Sequence, residues 1–419
     1  MTQPESDARG KGWITRTVVG IVAATFLSDF SHEMCTAVLP LYLGAIGLGP
    51  AALGMIEGLA DFLVSLSKLG GGVVGHRIER KRPWTAAGYL VTTLGTSAIG
   101  LVHGLVPIVA FRMLAWVGRG FRSPLRDYIL SDSVEKTHYG RAYGLERAGD
   151  MLGAVAGPLI ATLLVWAGVR FQSIILWTLV PGFLAAGSMF FFVRERVDQS
   201  TPGDRPAPET GPKPRFPKVF WLFLVGVFLF GLGDFSRTFL IWLAARDLKE
   251  DGMHSGGTIS VAVLLYTLHN LVSAVAAYPS GRLGDRFPKV HVLIGGYALG
   301  VMTNVVLALL GGQVGWLVAA IVSSGIYIAV EETIEKATAA DFLPRSLRSL
   351  GFGILACANA VGDMASSLYV GFLLRDGRPT LAFGIAAAVG TAGVVWMLAI
   401  LGRLPGAQSG VGSRSGLAL

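Results

Sequence analysis

The chain has 419 residues, of which 52% are hydrophobic and 15% charged, and its mean hydropathy is +0.58. Soluble domains carry about a quarter charged residues, so the composition argues against a soluble enzyme of this size. It also argues against nucleic-acid binding, because the net charge of +8 comes from basic residues scattered between apolar runs and not from one stripe.

The polar start, MTQPESDARGKGW, leads into an apolar stretch too long for the core of a signal peptide, so no cleaved leader is expected. About 20 apolar residues span a bilayer as a helix. About twelve such windows are predicted: 15–44, 51–75, 84–103, 105–130, 140–168 and 171–193, then 218–245, 256–280, 289–311, 314–340, 347–374 and 379–402. Lys and Arg concentrate in alternate connections. Arg77, Arg80, Lys81 and Arg82 lie in the 2–3 connection, and Lys136 in the 4–5 connection. Arg194 to Lys218 fall in the 6–7 connection, Arg282, Arg286 and Lys289 in the 8–9 connection, and Arg345 and Arg348 in the 10–11 connection. Positive-inside then puts both termini in the cytoplasm, with the protein multi-pass in the cytoplasmic (inner) membrane. The expected organisation is a cytoplasmic N-terminus (1–14), a six-helix bundle (15–193), a Pro- and Gly-rich cytoplasmic linker (194–217), a second six-helix bundle (218–402) and a cytoplasmic tail (403–419).

The two halves resemble each other. Gly72-Val-Val-Gly75-His76-Arg77 matches Gly281-Arg-Leu-Gly284-Asp285-Arg286, and Asp132 matches Asp341. Asp29-Phe30-Ser31 matches Asp234-Phe235-Ser236, and Gly149-Asp150-Met151 matches Gly362-Asp363-Met364. Several matches in chain order argue for a duplicated six-helix unit.

On these features the chain resembles the major facilitator superfamily over nearly its full length. Gly281 to Arg286 is similar to the superfamily's G-x-x-x-D-R motif; the first copy carries His76 where the family usually has Asp. Gly153-x-x-x-Gly157-Pro158 in helix 5 resembles the antiporter motif, with Ala161 and Thr162 in place of its next glycines. The stretch from Arg119 to Asp127 resembles a bacterial branch of the superfamily. The resemblance implies an all-α membrane protein of two pseudo-symmetric bundles, with helices 1, 4, 7 and 10 lining a central cavity. It also implies gate pairs, Arg77 with Asp132 and, by repeat, Arg286 with Asp341. A monomer is the usual state in that superfamily.

Charges within a bilayer are costly and mark cavities or internal pairs. Helix 1 carries Asp29, His32 and Glu33 on one face, by their i, i+3, i+4 spacing. Helix 7 carries Asp234 and Arg237, and helix 10 Glu331, Glu332, Glu335 and Lys336, with Glu331 and Glu335 sharing a face. Helix 4 carries Arg112, Arg119 and Arg126 as one stripe, whose guanidinium groups suit an anionic partner. Asp29, Glu33 and Asp234 are the expected proton-coupling carboxylates. His32, Arg112, Arg119, Arg237, Glu331 and Glu335 are the expected substrate-binding groups. Ion pairing within helix 2 (Glu57, Asp61, Lys68), a local network of Glu146, Arg147 and Asp150 in helix 5, and belt anchoring for Trp13, Trp84 and Trp221 complete the reading.

No G-x-x-x-x-G-K-[ST] motif is present, so direct ATP drive is not expected. Cys35 and Cys357 each stand alone, without disulfide or zinc spacing. No metal and no cofactor is expected; the partners are a small-molecule substrate, protons and lipid. The function read from these features is proton-coupled export (antiport, efflux) of a small solute. Two other readings stay open: a proton-coupled importer of an organic anion or metal chelate, and a non-transporting receptor or assembly factor on the same fold.

Overall fold

The computed structural model describes residues 12–48, 50–195, 215–235, 239, 255–310 and 314–403. Arg237, most of the linker, the 404–419 tail and the side chains of Glu57 and Asp61 lie outside the described residues. The first half contributes α1 Arg16–Ala45, α2 Pro50–Arg77, α3 Arg82–Ala98, α4 Leu105–Ser133 and α5 Tyr139–Trp166. Its last helix, α6, runs Phe171–Trp177 and, past Thr178, Leu179–Phe191. The second half contributes α7 Lys218–Gly231, α8 Ser255–Arg286, α9 Lys289–Leu310, α10 Val314–Phe342, α11 Arg348–Arg375 and α12 Pro379–Ile400.

Among the described residues, seven helices are long and apolar enough to cross a membrane. The helix α4 has the length, but its charged residues lower its hydropathy; Arg112, Arg122, Arg126 and Asp127 among them are turned into the protein. Prolines 40, 124, 158 and 279 lie inside helices, which membrane helices tolerate where neighbours satisfy the freed carbonyls. The chain leaves helical geometry after Gly231, within the expected seventh span. The carbonyls released there are taken by side chains: Tyr369 Oη donates to Leu232 O at 3.0 Å, Asn304 Nδ2 to Gly233 O at 3.0 Å, and Ser366 Oγ to Asp234 O at 2.5 Å. Helix-end carbonyls need such partners when buried.

Within the first half α1 packs on α5 and α6, and α4 on α2 and α3; within the second, α10 packs on α8 and α9, and α12 on α7 and α9. The halves meet through α5 against α8 and α2 against α11. Three apolar clusters show where the halves close. One, at the end that carries the 194–217 linker, runs through both halves: Val18, Tyr139 and Tyr143 join Phe220, Tyr297 and Phe352. At the far end the clusters are separate. Tyr42, Ile56 and Ile174 belong to the first half, and Leu265, Leu317 and Phe383 to the second. In lipid, such packing is stabilised by close van der Waals contact and interhelical hydrogen bonds, not by removal of surface from water.

Candidate functional site

The centre of the first half is built by close approach of α5 to α1. A Cβ on Gly153 would strike Phe26 O and stand 3.1 Å from Asp29 Cβ; on Gly157 it would lie 2.6 Å from Phe30 O. Small residues at these positions let the two backbones touch. The helix-5 glycines therefore seat α5 directly behind Asp29.

Asp29, near the middle of α1, is 2% exposed. It accepts two hydrogen bonds from Arg119 of α4, Nη1 to Oδ1 at 2.5 Å and Nη2 to Oδ2 at 3.0 Å. Such a charge-assisted fork on a carboxylate is about twice as strong as a neutral hydrogen bond and fixes its geometry. Arg119 Nη2 also lies 4.0 Å from Asp150 Oδ1 on α5. Asp150 Oδ2 accepts from Arg147 Nη1 at 2.7 Å, and Arg147 Nη2 stands 2.7 Å from Glu332 Oε1 on α10. That last contact is an ion pair by distance, with the N–H bonds turned off the line. The local network expected for helix 5 is thus wider than expected, because it reaches into the other half.

His32 is buried edge-on against Trp116, ring centroids 4.8 Å apart. Arg112 donates to Thr36 Oγ1 at 3.1 Å and stands 5.5 Å over the same indole. Glu33 is half-buried beside them. In the second half, Asp234 accepts from Tyr327 Oη at 2.7 Å. Glu335 accepts from Asn359 Nδ2 at 2.7 Å and from Tyr297 Oη. Glu331 is buried on α10, one turn after Tyr327 and one turn before Glu335. The structure joins Asp29 to Arg119, sets His32 and Arg112 against the same indole, and holds Asp234 through Tyr327, one helical turn from Glu331 on α10. Arg126 of the helix-4 stripe instead pairs inside the protein with Asp127 and Glu146, at 2.9 and 2.8 Å.

The linker end holds the expected gate groups, with different partners. Asp132 pairs with Arg345, at 2.5 and 2.8 Å, where Arg77 was expected. Asp341 pairs with Lys289 at 2.8 Å, where Arg286 was expected. The Asp132 carboxylate holds the Arg345 guanidinium above its ordinary range, whereas burial pulls the Lys81 ammonium in the 2–3 connection down. Asp285 accepts from the backbone N–H groups of Gly140 and Arg141, at 2.8 and 3.0 Å, and from Arg141 Nε at 2.8 Å. A carboxylate at the start of α5 complements the positive end of the helix. Gly140 and Gly281 meet backbone to backbone, leaving no room for a Cβ on either. In the first-half copy, His76 Nδ1 lies 2.8 Å from Ser346 O, ahead of α11. Trp13, expected as a belt residue, stacks on Tyr278 of α8 and so joins the halves; Trp84 and Trp221 are half-exposed. Sequence reasoning missed Lys336 as a crossing charge: it faces Asp127 Oδ2 at 3.8 Å. The signal was present in Glu332 and Lys336, an i, i+4 pair on a different face from Glu331 and Glu335.

The Major Facilitator Superfamily model matches residues 21–266 and 239–417, and the chain belongs to that family. It is a membrane transporter of that superfamily and not an enzyme. An uncharacterized MFS-type transporter of Methanocaldococcus jannaschii is 27% identical over 90% of this chain and 93% of its own. The multi-drug resistance efflux pump PmrA of Streptococcus pneumoniae is 22% identical over 64% of this chain and 67% of its own. Among solved structures, the Escherichia coli fucose:proton symporter FucP superposes with a TM-score of 0.72 at 12% identity, covering 93% of this chain and 99% of its own. That likeness is one of fold.

Proposed function

We propose that the protein is a secondary active transporter that exports a small solute across the cytoplasmic membrane in exchange for protons, by alternating access. The observation that carries the reading is the pair of the buried Asp29 with the half-buried Arg119 at the middle of α1 and α4. A charge pair at that depth is retained where it lines a pathway. The proposed plan is twelve spans in two six-helix bundles, 15–193 and 218–402, with the linker end and both termini cytoplasmic and the molecule acting as a monomer. Asp29, Glu33 and Asp234 carry protons. His32, Arg112, Arg119, Arg237, Glu331 and Glu335 face the solute. The cross-half cluster and the Asp285 and Asp132 contacts support a state closed on the cytoplasmic side. The two bundles then rock about the central site. Export is favoured over import by the Gly153–Gly157–Pro158 motif, and it agrees with the name of the pneumococcal relative.

The test is proton-driven flux in membrane vesicles for the wild type and for Asp29→Asn, Glu33→Gln and Asp234→Asn. Loss of coupling, at least tenfold, is expected for Asp29→Asn or Glu33→Gln. Full proton-coupled flux in both would contradict the assignment.

A further inference from the structure

We infer that Asp29, Arg119, Asp150, Arg147 and Glu332 form one alternating chain of charges that ties the state of the central carboxylate to closure of the linker end. Arg147 and Glu332 act in it as positioning residues. The inference rests on the alternating-access reading above and adds its internal linkage.

Each inner member of the chain is shared. Arg119 lies between Asp29 and Asp150, with contacts of 2.5 and 4.0 Å. Asp150 lies between two arginines. Arg147 lies between Asp150 and Glu332, with 2.7 Å to each. The chain starts at mid-depth in the first half and ends on α10 of the second, so its last link is a bond between the bundles. Sharing fixes the sign. When Asp29 is neutralised, Arg119 keeps Asp150 as its nearest carboxylate. Asp150 then holds Arg147 less, and Arg147 holds Glu332 more. A neutral Asp29 therefore tightens the closure, and an ionised Asp29 loosens it. Other charges near the chain are Arg122 on α4 and Glu33 on α1 beside Arg119, the Arg126–Glu146 pair near Asp150, and Lys68 on α2, Lys336 on α10 and Asp363 on α11 near Glu332. One turn along α10, Lys336 reaches Asp127 of α4 at 3.8 Å. That second bridge also joins the halves, but Lys336 stands at i+4 from Glu332; the Asp285 contact with Gly140 and Arg141, which also joins the halves and shares no member with the chain, is the control.

The experiment uses the full-length protein in lipid nanodiscs, with Cys35 and Cys357 replaced and spin labels at Glu135→Cys and Arg282→Cys. Electron–electron distance measurement reads the open and closed populations of the linker end. Asp29→Asn should lower the open-to-closed ratio at least threefold, and Glu332→Gln should raise it. Added to Glu332→Gln, Asp29→Asn should have no effect, since the last link is gone. Added to Asp285→Asn, it should keep its full threefold effect. Arg147→Lys, which keeps the charge, should restore part of the coupling lost in Arg147→Gln. Where Glu332→Gln does not fold, Asp150→Asn breaks the chain in its middle and serves the same cycle. An equal effect of Asp29→Asn with and without Glu332, or an effect of opposite sign, overturns the inference while leaving the transporter reading intact. A linker end that stays closed in every variant, Asp285→Asn included, overturns both.

Discussion

Residues that look alike in the sequence differ in what their loss should do. In the inner pair Asp29 is 3% and Arg119 21% exposed, whereas in the outer pair Asp132 is 10% and Arg345 45% exposed. Removing one partner of a buried pair strands the other charge and costs about 3–5 kcal/mol; an exposed pair contributes about 0–1 kcal/mol. Arg119→Ala should therefore lower the melting temperature in detergent clearly, and Arg345→Ala should barely move it. Equal shifts would show that Asp29 has another strong partner. At this scale the sequence was informative about where charges fall and poor about whom they meet. The spacing of Asp29, His32 and Glu33 placed them on one face, but Arg119 comes from another helix and Glu332 from another half. Repeat symmetry also misled: Asp132 and Asp341 are equivalent by position, yet one pairs with Arg345 of the opposite half and the other with Lys289 of its own.

Helices in this chain are positioned by glycine contacts as much as by apolar faces. Gly153 and Gly157 bring α5 onto α1, and Gly140 and Gly281 bring α5 onto α8. The first pair lies within one bundle, so Gly153→Val should destabilise the whole protein, by about 1–3 kcal/mol as overpacking does. The second pair lies between bundles. Gly281→Leu should leave the melting temperature nearly unchanged and shift the linker end towards open, read as faster alkylation of Ser349→Cys, a near-isosteric change at a side chain that is buried against Gly75 of the other half. Unchanged alkylation would mean that the contact is not part of the closure. Long apolar helices, seven of which among the described residues are long and apolar enough to cross a membrane, were legible from apolar length. The break after Gly231 was not, because the apolar pattern runs on past Gly231 and the side chains that satisfy the freed carbonyls, Asn304, Ser366 and Tyr369, lie far along the chain.

The whole molecule is held at one end by a layer of contacts that includes Trp13 on Tyr278, Asp285 on the start of α5, and the crossing pairs of Glu332 and Lys336. Each link is modest. A carboxylate at a helix start is worth about 0.3–1 kcal/mol, up to about 2 kcal/mol when partly buried, so Asp285→Asn should shift the open-to-closed ratio by about twofold to thirtyfold without unfolding the protein. Loss of one link is enough to change a balance of that size, as a two-state carrier requires. In the proposed exchange the first half offers the basic groups Arg112 and Arg119, and the second half the acids Asp234, Glu331 and Glu335. That split suits a solute that changes places with protons.

The most direct measurement is the internal pH of proteoliposomes that hold the purified wild-type protein and a trapped pH dye. Anions, cations, zwitterions and metal chelates are added outside in turn. The account predicts that at least one class moves the internal pH, with protons leaving as solute enters when the gradient is set for exchange, and that Asp29→Asn abolishes the response. Solute accumulating with no pH change, in vesicles shown to contain folded protein, would contradict proton exchange at its centre.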